Sequence, residues 1–208
     1  MRNLLPALVL AAVGLGIPGM AAVPAGDSSP VRTIKGGVLD GITLYVGKPP
    51  ASARAVIRRF SATDEDIVNG EKKDETKTMQ ADGPRLLADR FVAKLKELGP
   101  FTDVSMLEPG AAPPSVALVV EGKFIELDPG SRAKRYFAGF GAGKSAVAVS
   151  GSVKTADGLL LAAFEHRRIG VMGMGGGDSL GKLTSDTKSL GEDVAKFLSV
   201  WAMGKKLK

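Results

Sequence analysis

The chain has 208 residues, of which 44% are apolar and 24% are charged, and its formal net charge is +6. This length and composition suit a single globular domain with a buried core. The lack of Cys excludes disulfides, zinc–cysteine sites, iron–sulfur clusters and thiol nucleophiles, and the single histidine, His166, excludes a multi-histidine metal centre. We therefore expect neither a metal nor a cofactor.

Residues 1–25 have the organisation of a cleaved export signal. Arg2 precedes an apolar segment over residues 4–17, which ends at a Pro-Gly pair. Small side chains then permit cleavage after Ala21 or after Ala25, and the sequence leaves both sites open. As a helix, the apolar segment is too short to cross a hydrocarbon core of about 30 Å. The sequence thus predicts a protein that is periplasmic or secreted once the signal is removed.

The N-terminal part of the mature chain is predicted to be a linker followed by a strand. Residues 26–34 contain Gly, Ser and Pro without periodicity, which is typical of a linker. Loose alternation over residues 38–46 predicts a strand, so we interpret residues 26–51 as an N-terminal linker and strand. A second short strand is predicted at residues 54–60.

A polar segment separates these strands from the first predicted helix. Residues 61–82 are so rich in charge that they predict a surface loop or a short hairpin around Asn69-Gly70. Asp82 is suited to cap a helix that has Pro84 in its first turn. Apolar residues then recur at helical spacing until Gly99, where the helix is predicted to end.

The remaining elements predict the fold class. Tight turn residues at 156–158 predict a hairpin between the last two strands, and a final helix begins at Asp178 or Ser179. The order of elements predicts an α+β domain over residues 52–204, with a mainly antiparallel sheet covered on one face by two helices and a basic tail at residues 205–208. The four strands predicted in this part are residues 101–107, 115–127, 145–155 and 159–169.

Three segments share features with ligand-binding loops but lack the required spacing. The run Gly139 to Ser145 lacks the first glycine of a phosphate loop and leads into a strand pattern instead of a helix. Residues 173–177 lack the glycine spacing of a dinucleotide site. The acidic run that starts at Asp64 places Val68 where a calcium loop needs an oxygen ligand. We expect a glycine-rich connection in the first segment, a flexible strand-to-helix loop in the second and a solvated charged loop in the third. If an anion does bind, the helix start after residue 177 is a plausible backbone site.

His166 is the only histidine, so it is the only residue whose imidazole could act as a general base. It lies between Glu165 and Arg167 in a predicted strand, where an exposed or hydrogen-bonded histidine is the favoured interpretation. A Ser-His-Asp arrangement stays open, because such triads are assembled by the fold and not by sequence spacing.

One cluster combines basic and aromatic side chains and is the candidate interaction surface. Its cations would engage phosphate or carboxylate groups while its aromatics lie at a lipid or protein interface. The alternative, which we favour, is that the aromatics pack in the core and the charges are solvated. Positive charge is too sparse to predict a nucleic-acid partner. The cluster consists of Arg132, Lys134, Arg135, Tyr136, Phe137 and Phe140.

The same region resembles a bacterial family known as domain of unknown function 4410. The resemblance is carried by Val119-Val-Glu-Gly-Lys-Phe, by the run from Gly130 to Gly143, and by the following hairpin and terminal helix, within residues 52–204. Many members of that family are described as envelope lipoproteins, so the resemblance implies a small exported α+β domain without an established activity. This chain has no Cys after its signal, which argues against direct lipid anchoring.

These observations together predict a function class. We expect an exported, non-catalytic protein of the cell envelope that binds or helps to assemble other components, and we do not expect an enzyme. An envelope hydrolase with a site assembled by the fold is one alternative, and a peripheral binder of anionic membrane is another. The expected partners are other envelope proteins or an anionic membrane surface.

Overall fold

The computed structural model of the chain describes residues 31–50, 54–63, 67–69, 73–130, 144–170 and 178–207. The predicted export signal, residues 1–25, lies outside the described residues. No helix among the described residues is both long enough and apolar enough to span a bilayer.

The described residues form one sheet and two long helices. The helices are α1 (Lys73–Leu98) and α2 (Ser179–Ala202). The strands are β1 (Arg32–Lys35), β2 (Gly41–Leu44), β3 (Arg54–Arg58), β4 (Val68–Asn69), β5 (Asp103–Leu107), β6 (Ala117–Asp128), β7 (Ala146–Thr155) and β8 (Leu160–Ile169).

The sheet has mixed strand directions, and this corrects part of the predicted architecture. Its strand order is β1-β2-β8-β7-β6-β3-β5, and β4 also pairs with β6. Along one half of the sheet, the neighbouring strands β1, β2, β8, β7 and β6 pair antiparallel, as predicted. However, β3 pairs in parallel with both β5 and β6, and β4 pairs in parallel with β6. The parallel half arises because α1 and the loop before β6 return the chain to the same end of the sheet.

The N-terminal strands join the sheet instead of preceding it. Arg32 to Ile34, at the end of the predicted linker, pair with β2, so the linker prediction is wrong for those residues. The strand predicted over residues 38–46 begins only at Gly41, and β2 continues the sheet beside β8. Ile34 and Ile42 are paired across the β1–β2 hairpin and are both buried.

Helix α1 begins well before Asp82, so the predicted loop over residues 61–82 is wrong in its last part. Thr76 and Met79 in the first turns are almost fully buried. The hydroxyl of Thr76 donates a hydrogen bond to the carbonyl oxygen of Leu127 at 3.4 Å, which joins this end of the helix to β6. Tertiary burial of these two side chains outweighs the polar composition of the segment.

The hairpin predicted around Asn69-Gly70 is also wrong. Val68–Asn69 pairs in parallel with Glu126–Leu127 of β6, and the chain is helical from Lys73. Ser61 forms a further parallel bridge with Lys123. The polar segment thus continues along the same side of β6 that β3 occupies.

Two opposed glycines let aromatic rings lie directly on the helix-covered face of the sheet. Gly122 and Gly151 are partners across β6 and β7. The ring of Phe60 lies over the first glycine and that of Phe164 over the second, with the ring centroids 6.4 Å apart. A Cβ atom at position 151 would also lie 2.8 Å from the carbonyl oxygen of Glu121. The pair is therefore a packing requirement of the core.

Helix α2 begins as predicted and continues the aromatic core. The carboxylate of Asp178 accepts a hydrogen bond from the backbone N–H of Leu180 at 3.0 Å, as an N-cap does. Phe197 packs against Phe164 with ring centroids 5.7 Å apart and stacks on Trp201 at 5.9 Å. The stripe of apolar residues that predicted the helix is the stripe that it buries.

The two helices approach each other closely at Gly191. A Cβ atom there would lie 2.5 Å from the carbonyl oxygen of Leu87 and 3.2 Å from the amide nitrogen of Phe91 on α1. Beside this contact, Arg90 Nε donates to Glu192 Oε1 at 2.6 Å. The absence of a side chain at Gly191 thus sets the distance between α1 and α2.

Candidate functional site

An open groove lies where β8, the β1–β2 turn and the middle of α2 meet. Its volume is about 510 Å³. It is polar because four basic residues and one carboxylate line it, and the turn contributes a wall of main chain at Gly37. The lining residues are Gly37, Val38, His166, Arg167, Arg168, Ile169, Asp193 and Lys196.

His166 lies at the base of the groove between two carboxylates. Its position in β8, opposite Val149 of β7, turns its side chain toward the helices, where it is buried. Its Nδ1 is 3.0 Å from Asp40 Oδ2 in the β1–β2 turn, and its Nε2 is 3.2 Å from Asp193 Oδ2 on α2. An ionised carboxylate only accepts hydrogen bonds, so a ring nitrogen that bonds to one does so as a donor.

Asp193 accepts from three cationic side chains. Its Oδ2 also takes a hydrogen bond from Arg168 Nη1 at 2.5 Å, and its Oδ1 takes one from Lys196 Nζ at 3.0 Å. Burial disfavours the charged carboxylate, but the hydrogen bonds from His166, Lys196 and Arg168 outweigh it and lower the pKa of Asp193 from 3.8 to about 2. Asp193 is therefore an ionised carboxylate at neutral pH.

Asp40 connects the β1–β2 turn to the end of β8. The oxygen that contacts His166 also accepts from the backbone N–H of Arg167 at 2.7 Å. The side chain of Arg167 points to the other face of the sheet and forms two hydrogen bonds with Glu126. Hydrogen bonding to Glu126 raises the pKa of Arg167 further above its usual range. Arg167 thus fixes the end of β8, while the adjacent residues His166 and Arg168 line the groove.

A second carboxylate, Asp186, lies near Arg168. Burial raises the pKa of Asp186, while the nearby charges of Arg168 and Lys182 oppose that rise. Its Oδ2 has no hydrogen-bond partner among the described residues. A Cβ atom at Gly170 would lie 3.1 Å from that oxygen and 2.6 Å from Lys182 Cε, so this corner is already filled.

The arrangement around His166 is suited to holding charge and less suited to proton transfer. Both ring nitrogens contact carboxylates, and among the described residues neither nitrogen contacts a hydroxyl. Within the described part of the chain, no group of His, Asp and Glu side chains is arranged to hold a metal ion. The cationic groups of Arg168 and Lys196 remain partly exposed at the opening of the groove.

The predicted site residues divide into those that the structure places and those that it does not. His166 is hydrogen-bonded and buried, and the absence of a catalytic role for it stays a prediction. The candidate interaction surface, Arg132, Lys134, Arg135, Tyr136, Phe137 and Phe140, lies outside the described residues, so its role stays a prediction. The glycine-rich residues 139–143 and 173–177 also lie outside them, as do residues 64–66 of the acidic run.

Sequence reasoning missed the two carboxylates that define the site. Asp40 is far from His166 in sequence and lies in a turn with no site motif. Asp193 has a weak signal, because it adjoins the apolar residue Val194 in the buried stripe of α2 and precedes Lys196 by three positions. A charged side chain at the border of such a stripe needs a partner from another element.

The fold and the groove describe a small α+β domain, and comparison with known proteins assigns its family. The chain belongs to the family known as domain of unknown function 4410 (DUF4410), whose model matches residues 55–174. This confirms the resemblance seen in the sequence. The family description gives no activity.

Two solved structures are similar to this chain at low sequence identity. One is the PelC dodecamer from Paraburkholderia phytofirmans, with 14% identity, coverage of 76% of this chain and 94% of that chain, and a TM-score of 0.45. The other is a point variant of the same dodecamer, with 15% identity, coverage of 74% and 95%, and a TM-score of 0.44. No curated protein matches the chain.

Proposed function

We propose that this protein is an exported, non-catalytic component of the cell envelope, that it binds or helps to assemble other components, and that the groove beside His166 is its binding site. The observation that carries the proposal is the engagement of both ring nitrogens of His166 by Asp40 and Asp193. A histidine held in this way organises charged side chains around a groove, which supports a binding role for that groove. Export is supported by the signal-like organisation of residues 1–25.

The alternative is that the same groove is the active site of an envelope hydrolase. Hydrolysis through His166 would require a nitrogen that is free to take a proton from a nucleophile or a water molecule. The Asp193 contact of Nε2, reinforced by Arg168 on the same carboxylate oxygen, disfavours this role. Binding is therefore the better use of this geometry.

Peripheral attachment to an anionic membrane has support from a different place on the surface. Lys205 and Lys206 are exposed, and Leu207 is buried in the core, so the predicted basic tail is held in place at least as far as Leu207. The side chain of Lys48 lies 3.9 Å from the position that a Cβ atom of Gly204 would take, which brings a third cation to the end of α2. We call Lys48, Lys205 and Lys206 the lysine cluster. Each such residue near an anionic membrane contributes about 1 kcal/mol.

The C-terminal turn of α2 fixes the lysine cluster by backbone hydrogen bonds. Gly204 has a φ of 68° and donates its N–H to Trp201, and Lys205 donates to Val200. This is the pattern of a glycine-terminated helix, which satisfies carbonyl groups that would otherwise lack donors. The cations also lie at the negative end of the helix dipole, where positive charge is favourable.

Fractionation of the tagged protein in its native host tests the proposal. We expect a processed chain that starts after Ala21 or Ala25, is recovered with the periplasm or envelope, and crosslinks to an envelope component identified by mass spectrometry. A cytosolic protein that retains Met1 would contradict export. A hydrolytic activity that is lost in His166→Gln but kept in Lys188→Gln would favour the enzyme instead.

A further inference from the structure

We propose that the groove holds an anionic oxygen group, a carboxylate or a phosphate, between Arg168 and Lys196. This inference rests on the proposed function in one respect, that the groove is the binding site, and it adds the chemical class of the ligand. It is carried by the number of hydrogen-bond donors that converge on Asp193, by the excess of positive charge at the opening and by the shape of the rim.

The donors of Arg168 and Lys196 are only partly used. A guanidinium group has five N–H donors and an ammonium group has three. Asp193 receives one hydrogen bond from Arg168 Nη1 and one from Lys196 Nζ. The two cationic side chains are 37% and 45% exposed, so their remaining donors are available from the groove.

The positive charge at the opening exceeds the negative charge that it faces. Asp193 provides one carboxylate for the guanidinium of Arg168 and the ammonium of Lys196, and it also accepts a hydrogen bond from His166. Asp40 is the second carboxylate of the site and contacts His166 from the side of the turn. The two cations at the opening thus share one carboxylate, and an incoming anion would neutralise the remaining positive charge.

Charges on the neighbouring elements do not remove this excess. Arg167 is paired with Glu126 on the opposite face of the sheet. The other carboxylate close to Arg168 is Asp186, which burial disfavours in its charged form and which also faces Lys182. Asp186 is thus shared between two cations, Arg168 and Lys182, and does not remove the excess of positive charge at the groove.

The rim of the groove indicates that the anion is part of a larger molecule. Gly37 presents main chain, and the half-buried Val38 lies beside it. On the other side Ile169 is 50% exposed, although it is a large apolar residue. A cationic base between two apolar edges suits a carboxylate or phosphate attached to an uncharged body, and a bidentate guanidinium contact suits the planar oxygens of such a group.

The single histidine makes this proposal testable with one NMR probe. The ring resonances of His166 are followed in the full chain, without its signal peptide, during titration with sodium phosphate and, separately, sodium acetate, with sodium chloride used to hold the ionic strength constant. We expect saturable shifts for at least one of the two anions. We expect Lys196→Gln to weaken the affinity at least fivefold, because a charged hydrogen bond is lost. Lys188→Gln removes an exposed lysine of the same helix and should leave the affinity unchanged.

Two further arms separate the source of the anion and guard against misfolding. If a lipid phosphate is the natural ligand, vesicles of phosphatidylglycerol should bind the protein more than vesicles of phosphatidylcholine, and this binding should depend on Lys196. If a soluble anion is the natural ligand, free phosphate should bind and the vesicles should not. Arg168→Lys keeps the charge and the pairing with Asp193, so its circular dichroism should match the native protein while its affinity falls. Shifts that do not saturate, or affinities that Lys196→Gln leaves unchanged, would overturn the proposal. Neither result would affect the fractionation test of export.

Discussion

His166 Nε2 and Asp193 Oδ2 lie 3.2 Å apart and join β8 to the middle of α2. Asp40 contacts the other nitrogen of the same ring, so one side chain holds a turn, a strand and a helix together. The two partners are 126 and 27 residues away in sequence. Contacts of this range make the groove a product of the complete fold, and they relate its charge to the stability of the domain.

His166→Gln tests the structural part of this relationship. We expect the free energy of unfolding to fall by about 1–3 kcal/mol, because the partly buried Asp193 loses a hydrogen-bond donor and Asp40 keeps only its bond to the backbone N–H of Arg167. Arg90→Gln is a matched control, because it removes the cationic partner of Glu192, the residue next to Asp193 on α2. The Arg90–Glu192 pair is much more exposed than the His166–Asp193 pair. That variant should lose about 1 kcal/mol or less. Equal losses in urea denaturation of the two variants would contradict the account.

Acid should weaken the domain through Asp193. A folded-state pKa of about 2 lies below the value of 3.8 for an unperturbed carboxyl group. The stabilisation is therefore fully present above about pH 4 and is lost as the pH falls toward 2, with a magnitude of about 2 kcal/mol. Asp193→Asn should be less stable at pH 7 and should show a smaller decrease between pH 4 and pH 2. Parallel curves of unfolding free energy against pH would contradict this assignment.

The close approach of the helices gives a prediction that is independent of charge. Gly191→Ala should destabilise the domain by about 2 kcal/mol or more, because the new methyl group would meet the carbonyl oxygen of Leu87 and neither helix backbone yields easily. Gly47→Ala is the control, since nothing lies within 4 Å of its Cβ position. Thermal unfolding should show a decrease for the first variant and a change within about 0.5 kcal/mol for the second.

The lysine cluster gives a prediction for membrane attachment. The triple variant Lys48→Gln, Lys205→Gln and Lys206→Gln should lose most of its binding to phosphatidylglycerol vesicles at low salt, and binding of the native protein should fall as salt is raised. A control with the same change in charge replaces three exposed lysines elsewhere, Lys77, Lys96 and Lys188. Equal binding of the two triple variants, or binding that salt does not weaken, would remove this candidate function.

The strands and the last helix could be predicted because their local signals agree with their tertiary setting. The β7–β8 hairpin has turn residues between two apolar runs, and α2 has both a cap at Asp178 and a continuous apolar stripe. The start of α1 could not be predicted in this way, since Thr76 and Met79 become a buried face only when β6 and α2 are present. Local composition there points to a loop, and packing decides otherwise.

The groove could be predicted only in part for a similar reason. His166 is visible as the single histidine, but nothing in its neighbourhood along the chain indicates Asp40 or Asp193. The parallel pairing of β3 was missed because a short apolar strand pairs equally well in either direction, and the connections that follow it decide the direction.

Crosslinking from the rim of the groove tests the central claim most directly. A photoreactive amino acid is placed at Ile169, which is exposed at the groove, and in a second strain at Val116, which is 72% exposed and not among the groove residues. The account predicts that position 169 forms a specific adduct with an envelope component, that position 116 does not, and that Lys196→Gln reduces the adduct. An adduct of equal yield from both positions, or from position 116 alone, would contradict the assignment of the groove as a binding site.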